Sequence, residues 1–154
     1  MHLFEENIKN LGLNIPELPK ALANYVPYKI VGKTMYISGQ APVQNGELIY
    51  KGKVGSDITV EDGIQAARLC VTNIIAAVKT GLEGDWGKLD SFVKLTGFVN
   101  CQDDFTDQPK IINGASDMLV EIFGDQGRHA RVAVGSNALP LGISVEIDAI
   151  VQLK

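Results

Sequence analysis

The chain of 154 residues holds few of the groups that metal, redox and nucleic-acid proteins depend on, with two histidines, two cysteines and one tryptophan. His2 and His129 stand far apart, and neither belongs to a Cys or His cluster at ligand spacing, so no metal site is expected. Cys70 falls within a helical pattern and Cys101 at the end of a strand, and a packed thiol is favoured over a nucleophile for both. Basic residues are not in excess: 18 acidic against 14 basic residues give a net charge of -4. Binding to nucleic acid, which requires clustered Lys and Arg to neutralise phosphates, is therefore not expected. There is no apolar run of 18 residues to span a membrane. The segment MHLFEENIKNLGL lacks the basic start, apolar stretch and small-residue cleavage site of an export signal, which suggests a cytoplasmic protein with reduced thiols. G-x-G-x-x-G, P-loop and G-x-S-x-G motifs are absent, so nucleotide binding and α/β-hydrolase chemistry lose their usual support.

What is present is a composition that is 45% hydrophobic, enough for one core in one domain spanning 1–154. Residues 1–24 read as an N-terminal helix and arm. Leu3 to Leu11 has helical spacing with Gly12 as a stop, and the proline-rich stretch that follows reads as irregular, with one turn of helix near Ala21. Tyr28 to Val31 and Thr34 to Ser38 are strand-like, joined by Gly32-Lys33 as a hairpin turn, and Asn45-Gly46 marks a further turn. Val60 to Leu82 is the clearest helix. Thr59 is its N-cap, and Val60, Ile64, Ala67, Val71, Ile74, Ile75 and Val78 form its apolar stripe. Leu89 to Cys101 reads as a strand, with Val93, Leu95, Val99 and Cys101 on one face and Phe92, Lys94, Thr96, Phe98 and Asn100 on the other. A second long helix, Gln108 to Phe123, has Pro109 in its first turn and Gly124 at its end. Ala130 to Val134 and Ile143 to Leu153 complete the strands.

Two helices set between strands imply right-handed crossovers onto one face of a mixed sheet, hence an α+β fold. The other face would carry Lys94, Thr96, Phe98, Glu146 and Ile150. That face is too apolar to lie bare and too polar for an ordinary core, so a homo-oligomer packed through it is expected.

Arg131 opens a short strand between apolar neighbours. There it either forks an anion with its planar guanidinium or forms a structural ion pair with Asp125 or Asp148. Glu146 is either a solvated or interface carboxylate or a member of the same site. The Leu139-Pro140-Leu141-Gly142 turn allows the chain to double back and bring the two charges together. His129 shares a face with Arg131 on an extended chain, and a hydrogen-bonded structural histidine is favoured over a catalytic one.

Several segments together resemble the Rid family, the reactive intermediate deaminases, also called the YjgF family. The resemblance rests on Tyr25 upstream of Ser38-Gly39-Gln40, on Asn113 in the second long helix, and on Arg131. It continues with Leu139-Pro140 at the family's distance from that arginine, and with Val145-Glu146-Ile147. It covers nearly the whole chain after about Asn24. GKVGSD, TGFVN, DFTDQPK, NGASD and FGDQGRHAR, with the N-terminal helix and arm, mark a longer branch, whose members often carry labels such as translation inhibitor or endoribonuclease. No metal cluster, paired histidines or basic groove supports a nuclease here.

The resemblance implies a chorismate mutase-like fold with two helices on one face of the sheet, a homotrimer with clefts between subunits, and no cofactor. It also implies hydrolysis of enamines and imines, such as 2-aminoacrylate, to 2-keto acids and ammonia. Arg131 would grip the substrate carboxylate and Glu146 would hold the attacking water. Tyr25, Ser38, Gly39 and Asn113 would line the cleft, Gly39 through its backbone. Two residues after the arginine, Ala133 stands where the deaminase branch often has cysteine, which leaves only main-chain contacts there. One extra residue separates Asn113 from Arg131, and His129, absent from the usual pattern, is expected to reshape the pocket. The alternative is a non-catalytic trimer that binds or senses a small carboxylate through the same arginine.

Overall fold

A computed structural model describes residues 1–18 and 23–154, so the helical turn expected near Ala21 lies outside the described residues. Helix α1 (Leu3–Asn10) is followed by β1 (Tyr28–Val31), β2 (Thr34–Gln40) and a two-residue hairpin, β3 (Val43–Gln44) and β4 (Glu47–Leu48). Then come α2 (Val60–Gly81), β5 (Leu89–Asn100), α3 (Gln108–Phe123), β6 (Ala130–Ser136) and β7 (Val145–Leu153). The five long strands form one mixed sheet in the order β1-β2-β7-β5-β6. Only the β5–β6 pairing is parallel, as the α3 connection between them requires.

Local chemistry accounts for the helix ends. Thr59 Oγ1 accepts the Asp62 amide at 3.1 Å to start α2, and Gly124 closes α3 at φ 61°. The apolar stripes of α2 and α3 lie on the sheet face that presents Met35, Ile37, Leu95, Val99, Val145, Ile147, Ala149 and Val151, and together they form one core cluster. Helix α1 adds Phe4 to an aromatic group with Trp86 and Phe123. Trp86 Nε1 donates to Glu5 Oε1 at 2.7 Å, and Lys79 pairs with the same carboxylate at 2.9 Å.

One expected face assignment is corrected. Phe92 is buried against the helices while Val93 is 41% exposed. The β5–β7 register shifts between Leu89 and Ser91 and again between Phe92 and Lys94. Each shift is a bulge, and an added residue reverses the alternation on one side of it. From Lys94 onward the expected alternation holds, with Lys94, Thr96 and Phe98 on the face away from the helices.

Candidate active site

The residues singled out from the sequence fall into two groups on opposite faces of the sheet. The first gathers where the edge strand β6 meets α3. Arg131 lies opposite the buried Leu95, so its side chain leaves β6 on the helix side. Its Nη1 donates to Asn113 Oδ1 at 2.8 Å and Ser116 Oγ at 3.1 Å, and its Nη2 to the Pro109 carbonyl at 3.2 Å. Pro109, Asn113 and Ser116 sit four and three residues apart on α3, so they share one helix face toward β6. All three acceptors are neutral. Among the described residues Arg131 makes no salt bridge: Asp125 pairs with Arg128 at 3.1 Å instead. Asp148 alternates with the buried Ile147 and Ala149 and so lies on the far face. The ion-pair reading of Arg131 is thereby corrected. The guanidinium charge has no carboxylate partner, and its Nε–H has no acceptor, among the described residues.

His129 and Ala133 flank Arg131 on the same side of β6. His129 Nδ1 is 2.7 Å from the Gly127 carbonyl and Nε2 is 2.8 Å from Ser116 Oγ. Burial lowers its pKa below the ordinary imidazole value, the Gly127 carbonyl partly opposes this, and the Arg131 charge adds to the lowering. Ala133 is half-buried and packs on the core. Its methyl group offers no thiol and leaves only backbone.

The second group lies on the opposite face around Glu146. This residue pairs across the sheet with Phe98 and alternates with the buried Val145 and Ile147. The β2–β7 register shifts between Ile37 and Gln40, and Gly39 falls in that irregular step. A Cβ at Gly39 would stand 2.7 Å from Glu146 Oε1, so the bare glycine backbone makes room for the carboxylate. Burial, with a smaller contribution from Asp148, raises the Glu146 pKa above the ordinary carboxylate value. Ser38 Oγ donates to the Val26 carbonyl at 2.7 Å, and the Ser38 amide bonds to the Pro27 carbonyl at 2.9 Å. These two bonds tie the Tyr25 segment to the end of β2, where Tyr25, 57% exposed, borders an open groove of about 400 Å³ with Lys29, Tyr36 and Ser38.

The expectation that the turn after Leu139 brings Arg131 and Glu146 together within the chain is corrected. Strand β5 lies between β6 and β7, so the Pro140–Gly142 turn joins strands that are not neighbours. The parity of the two strands then sends the two side chains to opposite faces. Ser116 is the site residue that sequence reasoning missed. The signal was its place in NGASD, three residues after Asn113 on a helix.

An open mixed sheet backed by helices on one face defines a chorismate mutase-like α+β protein, with Arg131 at its edge and the Glu146 carboxylate on the other face. The family model described as "YjgF/chorismate mutase-like, putative endoribonuclease" matches residues 5–151, and the chain belongs to this YjgF/RidA family. It is 39% identical over 149 residues to Protein TCP17 of Trypanosoma cruzi, covering 96% of this chain and 92% of that protein. The crystal structure of protein Atu1372 from Agrobacterium tumefaciens superposes with a TM-score of 0.93 at 44% identity, covering 99% of this chain and 93% of that one. The crystal structure of E. coli TdcF with bound serine gives a TM-score of 0.62 at 28% identity, covering 88% and 93%.

Proposed function

We propose that the protein is an enamine/imine deaminase that hydrolyses small 2-amino-enoate and 2-imino-acid intermediates to 2-keto acids and ammonia. The observation that carries this reading is the state of Arg131. A guanidinium fixed by three neutral oxygens, with no counter-ion and a free Nε–H among the described residues, is prepared for a carboxylate. Serine, seen in the TdcF structure, is a small amino acid whose carboxylate belongs to the same chemical class.

Because Arg131 and Glu146 leave opposite faces of the sheet, the working site takes one group from each of two copies. Arg131 and Asn113 come from one subunit, and Glu146, Gly39, Ser38 and Tyr25 from the next, in a homotrimer with three such clefts. In that cleft the enamine takes a proton at C3 to become the imine, whose C2 is electrophilic. Water held by the Glu146 carboxylate attacks C2 as the carboxylate accepts its proton. The proton then returns to the nitrogen, and the C–N bond breaks as the new hydroxyl forms the carbonyl. That hydroxyl releases its proton to solvent in place of the one taken up at C3, and the products are ammonia and the 2-keto acid. Every step uses only water and protons. The alternative of a binding or sensing trimer is favoured by one observation, the methyl group of Ala133 where a thiol is common.

The test is to generate 2-aminoacrylate or its four-carbon homologue with a dehydratase and to measure 2-keto acid release with and without the protein. Arg131→Lys keeps the charge and loses the planar fork, and weakens binding of 2-ketobutyrate by about one to two decades. Glu146→Gln lowers turnover by a factor on the order of 10²–10⁴ and leaves that binding nearly unchanged. Binding that depends on Arg131 without any acceleration of keto-acid release would select the sensor instead. Equal binding by Arg131→Ala would remove the carboxylate assignment.

A further inference from the structure

Arg131 is the terminus of a directional hydrogen-bond chain. The Gly127 carbonyl can only accept, so the His129 nitrogen 2.7 Å away, Nδ1, carries the proton. In the neutral ring Nε2 is then an acceptor, and the only hydrogen it can take from its partner at 2.8 Å is the Ser116 hydroxyl hydrogen. With that hydrogen committed to His129, the Ser116 oxygen is left with lone pairs, one of which receives Arg131 Nη1 at 3.1 Å. The polarity runs one way, from Arg131 through Ser116 and His129 to the Gly127 carbonyl.

Both ends of the chain are fixed. Gly127 is buried, and a Cβ there would lie 2.2 Å from the Leu119 carbonyl oxygen, so its backbone rests directly against α3. Ser116 lies in the third turn of the same helix. A serine within a helix commonly turns its hydroxyl back to the carbonyl four residues earlier, which competes with other partners. His129 supplies a better acceptor outside the helix and so holds the serine lone pair toward the guanidinium. Asn113 and the Pro109 carbonyl hold the other positions. Three neutral acceptors around two nitrogens fix the plane of the guanidinium and so the direction in which its Nε–H points.

We propose that Ser116 and His129 are positioning residues for carboxylate recognition. His129, held neutral with its proton on Nδ1, orients the Ser116 hydroxyl, and Ser116 sets the plane of Arg131. This rests on the reading of Arg131 as the carboxylate site, and it assigns to His129 a part in orientation with no proton transfer to substrate.

Titration of the folded protein with 2-ketobutyrate tests it, followed by calorimetry, with thermal melts as a control for folding. Ser116→Ala weakens binding about tenfold, and Ser116→Thr, which keeps the hydroxyl, restores most of the loss. His129→Asn can still donate to Gly127 but is too short to reach Ser116, so it weakens binding as Ser116→Ala does. His129→Gln reaches farther and offers a carbonyl acceptor, so it recovers most of what His129→Asn loses. In deamination assays the Ser116→Ala effect falls mainly on KM, with kcat changed far less. Independently of any ligand, ¹⁵N NMR of the unsubstituted protein at neutral pH shows a His129 ring protonated at Nδ1 with a bare Nε2. A ring protonated at Nε2, or Ser116→Ala binding as tightly as a parent whose binding does depend on Arg131, overturns the positioning role alone. If Arg131→Ala also binds like the parent, the carboxylate reading fails and the positioning proposal falls with it.

Discussion

At Glu146 the two sides of the strand act on one carboxyl group. Gly39 contributes no side chain, so the carboxylate lies against the bare backbone of β2, half-buried. Asp148, two residues along β7 and on the same face, adds a like charge. Burial first and Asp148 second both disfavour the ionised form and raise the pKa. In the proposed reaction the ionised form is the active one, so activity is lost as pH falls through this raised value. A profile of kcat/KM between pH 4 and 8 therefore has an acid limb centred above the ordinary carboxylate value, about 4.3 for a glutamate. Asp148→Asn removes the like charge and moves that limb to lower pH. A limb that stays where it was in Asp148→Asn would detach it from Glu146. Much of this scale was legible in the sequence: period two alone placed Glu146 on the face away from the core. The partners of Arg131 were not legible to the same degree, since the choice between Asp125 or Asp148 and three neutral oxygens depends on how α3 lies over β6.

Among the elements, α2 and α3 show where sequence suffices and where it does not. The Thr59 cap, the Pro109 start and the Gly124 stop are local signals, and each helix begins where its signal stands. The distance between the two helices is not local. It is set at Gly114, where an added Cβ would lie 2.7 Å from the Ile64 carbonyl oxygen and 2.9 Å from its side chain. A backbone carbonyl within a helix cannot move aside, so Gly114→Ala must push α3 off α2. Overpacking of this kind costs about 1–3 kcal/mol, and urea or thermal unfolding measures it. Because α3 holds Pro109, Asn113 and Ser116, the displaced helix also carries all three acceptors away from Arg131. Weaker 2-ketobutyrate binding therefore accompanies the loss of stability, and a stable Gly114→Ala protein would show that the helix pair relaxes easily. Strand β5 was misread for a related reason. Its two bulges arise from pairing with β7 more than fifty residues later, and no window of the sequence contains both partners.

For the whole molecule, the sheet face away from the helices presents Tyr36, Val132 and Val134 at 50%, 42% and 39% exposure, with Phe98 and Ile150 half-buried beside them. An apolar surface on this scale, interrupted by Glu146 and Thr96, is suited to burial against another copy with polar groups left at the clefts. The separation of Arg131 from Glu146 within one chain gives that assembly a functional reading, and it permits a test stronger than a measured mass. Light scattering should give three times the 16.6 kDa of the chain. Arg131→Ala and Glu146→Gln each disable every cleft when expressed alone. Co-expressed in equal amounts they assemble at random, and a cleft is intact when its arginine comes from a Glu146→Gln copy and its glutamate from an Arg131→Ala copy. In a cyclic trimer this occurs in about one quarter of clefts. The mixture should regain about that share of the parent's keto-acid release, whereas a site built within a single chain would regain nothing. A Val132→Asp change, which places a charge on the apolar face while leaving Arg131 and Glu146 in place, should yield a smaller species and abolish the recovered activity. Full activity in a monomeric Val132→Asp protein would show that one chain holds the complete site, against the division of the two charges between the faces of the sheet.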